Sequence, residues 1–372
     1  MKIGMVCYAS HGGSGIVATE LGAGLAARGH EVHFITNDVP VRLNRFLKNI
    51  YFHRVEVDDY PLFTHTPYAL NLTAKIVDVS ESEGLDLIHS HYAVPHATCA
   101  YLAKEMLLSP KLRTVTTLHG TDITLVGIKP SYYSVTRFSI EKSDSVSAVS
   151  DWLRQKTFES FPIQKQIDVI HNFVDSNRYR PLNAGRNRGD FCGEEELVLL
   201  HASNFRKVKN VPTVIRVFAE LRKRFPVKLL LVGDGPELAL AQEQAEELGV
   251  ADACISLGAQ EFVEEIYPLA DVLLLPSEHE SFGLVALEAM SSEVAVVATN
   301  QGGTREIIRH GENGFLHDPR DEEGMVSTIA SLFENPAKMS AVKQKARQTA
   351  VEQFPVDRAV DRYLALYERT LS

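Results

Sequence analysis

Residues 272–290 read VLLLPSEHESFGLVALEAM. Four consecutive apolar residues stop at Pro276, and a second apolar run begins at Leu284, broken by one acid, Glu288. A short unbroken apolar run suits a strand buried on both faces, and Ser281-Phe282-Gly283 suits the turn into a helix. This is half of a parallel βαβ unit. Glu280 stands before the predicted helix and Glu288 in its second turn, with seven residues between them. Two carboxylates so placed flank a helix start whose N–H groups attract phosphate, and carboxylates accept well from vicinal hydroxyls.

The same unit recurs outward from this stretch. Strands are predicted at 197–201, 228–232, 254–257 and 294–298, with helical stretches between them. Toward the N-terminus, strands are predicted at 3–8, 31–36, 85–89, 114–118 and 145–149. A short strand at 168–170 leads into a polar, Asn- and Arg-rich segment, taken as the junction. The reading is an α/β chain of two doubly wound Rossmann-like domains facing a cleft, over 1–167 and 168–354. Val360, Tyr363, Leu364 and Tyr367 share one face of a C-terminal helix, 355–372, expected to pack back on the first domain.

The chain has 372 residues and a formal charge of −10. That balance argues against binding nucleic acid through phosphate contacts. Four scattered cysteines give neither a disulfide framework nor metal-ligand spacing. No apolar run is long enough to span a bilayer and no signal-peptide pattern opens the chain, so a cytoplasmic protein without membrane contact is expected.

In open α/β sheets, ligands bind beyond the carboxyl ends of strands. After the first predicted strand, Gly12, Gly13 and Gly15 allow a tight path, with Ser14 as a helix cap. The spacing is neither a dinucleotide fingerprint nor a P-loop. His91 and Tyr92 follow another strand, as do His119, Gly120, Thr121 and Asp122, where a plain helix cap is the alternative. Arg206, Lys207 and Lys209 follow the strand at 197–201 and suit an anion such as a diphosphate, or a solvated surface. Gly302 and Gly303, with Thr304 as a cap, are read as turn chemistry.

Glu280-x7-Glu288 with Phe282-Gly283, VGDGPE at 232–237 and the Gly-rich first loop resemble the retaining glycosyltransferases of B-type fold, the large sucrose-synthase-like family. The resemblance spans the chain. Within the family, HGGSGIVATELG, SHYAVPHA, LHGTDIT, HNFVD and SNFRKVKN are similar to members that join GlcNAc from UDP-GlcNAc to L-malate. It therefore implies a hexosyltransferase serving the first step of bacillithiol synthesis. Another UDP-sugar transferase with a small anionic acceptor, or a UDP-GlcNAc 2-epimerase, is the alternative.

By this resemblance Glu288 binds the ribose hydroxyls. Glu280 contacts the transferred sugar, with the N–H groups of Phe282, Gly283 and Leu284. Lys209 holds the diphosphate. The usual diphosphate arginine is Asn204 here, and Arg206 is the candidate substitute. Gly13, Ser14 and Gly15 belong to the donor side, with Gly15 offering its N–H, and His119 lies near the sugar. Catalysis is thus assigned to His119, Arg206, Lys209 and Glu280. Ser14, Tyr92, Thr121 and Arg137 are acceptor candidates, and Lys129 is a further cation for a dicarboxylate. No D-x-D cluster occurs, so neither a metal nor another cofactor is expected. A homo-oligomer is compatible with this reading.

Overall fold

A computed structural model describes residues 1–9, 12–56, 67–107, 111–181 and 188–372. His11 of the first loop and residues 182–187 of the polar segment lie outside them. The chain forms two compact units, one of Met1–Asn172 with Val356–Ser372, the other of Phe173–Pro355.

The first unit holds a seven-stranded parallel sheet. Its strands are β1 (Lys2–Val6), β2 (Glu31–Thr36), β3 (Ile50–Arg54), β4 (Leu87–His91), β5 (Arg113–Leu118), β6 (Ser145–Ala148) and β7 (Ile167–Val169), in the order β3-β2-β1-β4-β5-β6-β7. Helices α1 (Gly13–Ala27), α2 (Tyr68–Glu83), α3 (Thr98–Leu107), α4 (Thr121–Thr124), α5 (Pro130–Lys142) and α6 (Asp151–Ser160) connect the strands. The second unit holds β8 (Leu197–Ala202), β9 (Val227–Val232), β10 (Cys254–Gly258), β11 (Val272–Leu275), β12 (Ala295–Thr299) and β13 (Phe315–His317), in the order β10-β9-β8-β11-β12-β13. Its helices are α7 (Val211–Arg222), α8 (Leu238–Glu247), α9 (Leu284–Ser291), α10 (Glu322–Glu334) and α11 (Pro336–Gln353). In both sheets the central strands are buried on both faces, as parallel sheets covered by helices require. Those of the second sheet are largely apolar, while β4 and β5 also bury His89, Ser90, His91 and three threonines.

The last helix, α12 (Val356–Leu371), belongs to the first unit. Ala359, Val360, Tyr363, Leu366 and Tyr367 are its buried face. Leu366 rather than Leu364 completes that face; Leu364 is half-buried. A Cβ on Gly24 of α1 would come within 2.6 Å of Val360 Cγ2, so the glycine allows the close approach. Arg28 then reaches Asp357 and Asp361 at 3.0 and 3.2 Å.

Two expectations need correction. The strand near 168 does not open the second unit: β7 pairs with β6, Val146 facing Ile167, and the boundary falls at 172/173 rather than 167/168. The helix after β1 starts at Gly13 with Gly12 as its cap, so Ser14 lies inside it and caps nothing. Strands β3 and β13 were not anticipated, because both are short edge strands with polar ends.

Candidate active site

Each sheet has one point where strand order reverses, between β8 and β11 in the second unit and between β1 and β4 in the first. Loops diverge there and leave a crevice at the carboxyl ends.

In the second unit, His201 closes the floor of that point. Its Nδ1 lies 2.9 Å from the Leu274 carbonyl on β11, so Nδ1 carries the proton, and Nε2 accepts from Ser203 Oγ at 2.9 Å. Burial pushes His201 down to about 4, so it is neutral. Above it the two loops join, with Glu278 N–H donating to the Val208 carbonyl at 2.8 Å. Asn210 donates to the carbonyls of Pro276 and Pro319, both at 3.1 Å. Asn210 and this pairing turn Lys209 inward. Its Nζ donates to Glu280 Oε1 at 2.6 Å, and Ser277 Oγ donates to the same oxygen at 2.8 Å. Burial alone would raise the Glu280 carboxyl; the Lys209 ammonium and the Ser277 hydroxyl hold it below the usual carboxylate range. The loop is fixed from the other side by Gly302, at φ +103, where a Cβ would sit 2.0 Å from the Glu280 carbonyl oxygen. Gly303 N–H donates to that oxygen at 2.8 Å.

Helix α9 starts beside this pair, with Gly283 as its cap. The first N–H groups of a helix have no intrahelical acceptor and carry its positive end, which makes them an anion site. Glu288, on the second turn, is buried, and the Tyr267 hydroxyl donates to its Oε2 at 2.8 Å. Asn204 and Arg206 are exposed. Arg206 has no side-chain partner among the described residues. Of the three cations after β8, only Lys209 meets Glu280. Thr304 does not cap a helix; its hydroxyl donates back to the Thr299 carbonyl at 2.7 Å.

In the first unit, the loop after β1 presents the N–H groups of Gly13 and Ser14. The N–H of Gly15, expected to be open to a ligand, instead donates to the Gly12 carbonyl at 3.1 Å. A tight helix start consumes it. Across the reversal, His91 ends β4, and Tyr92 follows at φ +96, a conformation rare for a bulky side chain. Asp122 gathers this region. Its carboxylate accepts the N–H groups of Ala93 at 3.0 Å, Gly120 at 2.9 Å and His119 at 3.2 Å. Burial raises it to about 6, against the pull of those N–H donors. Tyr92 and His119 rings lie 5.3 Å apart, and Thr121 opens α4 next to them. Arg137 and Lys129 are exposed on α5 and just before it, and neither side chain meets this group among the described contacts.

The histidines form a chain whose proton positions can be deduced. Burial pushes His89 and His119 down to about 3 and His96 to about 4, and drives His91 well below its ordinary value, so all four are neutral. His91 Nε2 lies 3.1 Å from Met5 Sδ, which can only accept, so His91 Nε2 carries the proton. His91 Nδ1 is therefore bare and accepts from His119 Nε2 at 2.9 Å. His119 must then present an unprotonated Nδ1, and that nitrogen has no partner among the described residues.

The sequence motifs located Lys209, Glu280, Glu288, His91, Tyr92 and His119. They missed Ser277, Tyr267, Met5 and His96. Ser277 was visible as the hydroxyl three positions before Glu280. Nothing in sequence marked Tyr267 or Met5, which reach the site by tertiary packing.

The family description "Glycosyl transferases group 1" matches residues 191–349, and "Glycosyltransferase Family 4" matches residues 11–178. The chain is 44% identical over 368 residues to N-acetyl-alpha-D-glucosaminyl L-malate synthase of Bacillus anthracis, covering 99% of this chain and 96% of that protein. Its fold is similar to the glycosyltransferase of Rickettsia africae at a TM-score of 0.81 and 22% identity, covering 100% and 98% of the two chains. It is also similar to Anabaena HepE solved with UDP and glucose, at a TM-score of 0.83 and 20% identity over 99% of each chain. Two parallel sheets with their ligand loops at the reversal points define the B-type glycosyltransferase fold. The chain belongs to the glycosyltransferase family described by these two matches and by the Bacillus anthracis relative. No helix among the described residues is long and apolar enough to cross a membrane.

Proposed function

We propose that this enzyme transfers GlcNAc from UDP-GlcNAc to L-malate with retention, giving GlcNAc-α-malate, the first step of bacillithiol synthesis, in the cytoplasm. The observation that carries the reading is the Lys209–Glu280 pair at a strand-order reversal beside the start of α9. The choice of sugar and acceptor rests on the likeness to the Bacillus anthracis synthase.

In this reading the second unit takes the donor. Glu288, held by Tyr267, accepts from the ribose hydroxyls. Lys209, Arg206 and the N–H groups of Phe282, Gly283 and Leu284 face the diphosphate and the sugar, with Asn204 at the edge of the site. Gly13 and Ser14, on the tight start formed with Gly15, add N–H groups. As the sugar–phosphate bond breaks, negative charge grows on the leaving phosphate oxygen. Fixed cations and amide dipoles stabilise that charge without reorganising. The malate hydroxyl attacks from the same face, and the departing phosphate oxygen takes its proton. Ser14, Tyr92, Thr121 and Arg137 serve the acceptor. His119 offers its bare Nδ1 to a sugar hydroxyl. No metal enters this chemistry.

The test is to incubate the protein with UDP-GlcNAc, with and without L-malate, in EDTA. UDP release that requires malate, with an α-linked product by NMR, supports the proposal. Conversion to UDP-ManNAc without malate points to epimerisation, and loss of the rate in EDTA with the circular dichroism and Tm unchanged overturns the metal-free step.

A further inference from the structure

The first unit holds a second constellation of ligating side chains, remote from the ligand loops. His33 lies on β2 and His53 on the edge strand β3. The parallel register sets His53 opposite Ile35, two residues from His33, so both imidazoles stand on one face of the sheet. Glu83 is the last residue of α2, which runs back toward the amino ends of the strands before β4 begins. One ligand atom from each of the three residues lies within 4.8 Å of the others.

We propose that His33, His53 and Glu83 bind one divalent transition metal of the zinc type, tying the edge strand β3 and the end of α2 to the sheet.

Three features support a metal over a simple imidazole pair. His33 Nδ1 and His53 Nε2 face each other at 3.0 Å, a gap that one shared proton or one bridging metal ion can fill. Zinc at about 2.0–2.1 Å from each nitrogen needs about 3.3 Å between them, a small opening of the pair. Next, the Glu83 carboxylate has no hydrogen bond or ion pair among the described residues. The nearby Lys2 ammonium donates to the Glu83 carbonyl at 2.9 Å and pairs with Glu31 at 3.5 Å. A carboxylate beside two imidazoles with no cation of its own is half of a charge-balanced site. Finally, burial, and then each other's proximity, keeps the His33 ring neutral, at about 4, and burial lowers His53 as well. Neutral imidazole is the form that ligates. Two nitrogens and one carboxylate oxygen favour zinc, cobalt or nickel over calcium or magnesium, and leave a position for water. The place of His53 on β3 assigns the metal to holding an edge strand, which otherwise exposes an unpaired ladder.

The experiment uses full-length protein stripped with chelator, then titrated with ZnCl2 by calorimetry and with CoCl2 by visible absorption. The proposal predicts saturable uptake of one metal per chain, a d–d spectrum of low-coordinate cobalt and a higher Tm with zinc. Glu83→Gln and His53→Gln should each weaken zinc binding at least about tenfold, with unchanged circular dichroism and UDP affinity. Glu83→Gln, at a half-buried helix end, keeps the test valid should His53→Gln fail to fold. Absence of saturable one-to-one uptake, or equal affinity in a folded variant and the parent, overturns it.

Discussion

Lys209 and Glu280 meet at 2.6 Å across the reversal point of the second sheet, one from the loop after β8 and the other from the loop after β11. Seventy residues separate them, yet adjacent parallel strands end beside each other there. The pair sets the charge of the site. Glu280 stays ionised because Lys209 is present, and Lys209 is aimed because Glu280 accepts from it. On the proposed function, a donor diphosphate entering the site would share that ammonium.

Removing the lysine tests this coupling. Lys209→Ala is expected to lower turnover by about 10²–10³, the usual cost of losing one preorganised charge-stabilising group, while UDP affinity falls less than about tenfold. It also leaves Glu280 part-buried without its cation, which destabilises the fold. The double variant Lys209→Ala with Glu280→Gln should recover stability but not turnover. Steady-state kinetics and urea unfolding of both variants check this; intact turnover in Lys209→Ala contradicts the assignment.

Glu288 is predicted to act on binding. Glu288→Ala should weaken UDP about 10–100-fold by calorimetry, because each hydrogen bond to a charged group contributes about 1.5–3 kcal/mol. Tyr267→Phe removes only the hydroxyl that orients it, and should cost less than Glu288→Ala. Equal UDP affinity in all three proteins contradicts the role.

The proton positions in the histidine chain are directly measurable. Nitrogen NMR should show the Nε2–H tautomer for both His91 and His119. Met5→Leu removes the acceptor that fixes the order, so the two tautomers should mix in that variant and turnover should fall. An Nδ1–H tautomer of His119 in the parent protein would overturn the deduction.

Acid should destabilise the first unit. The neutral pKa of His89, His91, His96 and His119 is lowered by burial, so the unfolded chain binds protons that the folded chain refuses. Their stabilisation is present above the ordinary histidine value and is lost progressively as pH falls below it. Each contributes about 1.4 kcal/mol per pH unit in that window. Asp122 acts oppositely: its carboxyl is raised to about 6, so its contribution is present at low pH and lost as pH rises through that value. Four histidines outweigh one aspartate. Urea unfolding should therefore weaken by several kcal/mol between pH 7 and 5.5, with a shallower slope in His89→Gln. Stability that is level or rises on acidification contradicts the account.

The sheets were legible because buried parallel strands are short apolar runs, as at 272–275 and 197–201. Edge strands such as β3 were not, since Tyr51 and Arg54 face solvent and dilute the apolar signal. The candidate residues that follow strands, such as Glu280 and His119, were legible because open α/β sheets bind ligands beyond their strand ends. Tyr267 and Met5 were not, because their roles come from a single contact with Glu288 or His91 that no local pattern encodes. The boundary was set too early because β7 has only three residues, and its membership in the first sheet is decided by pairing with β6.

The most direct measurement is a crystal structure with UDP bound. The account predicts the ribose hydroxyls on Glu288 and the phosphates at Lys209 and the first turn of α9. UDP bound elsewhere, with Glu280 and Glu288 untouched, would contradict it.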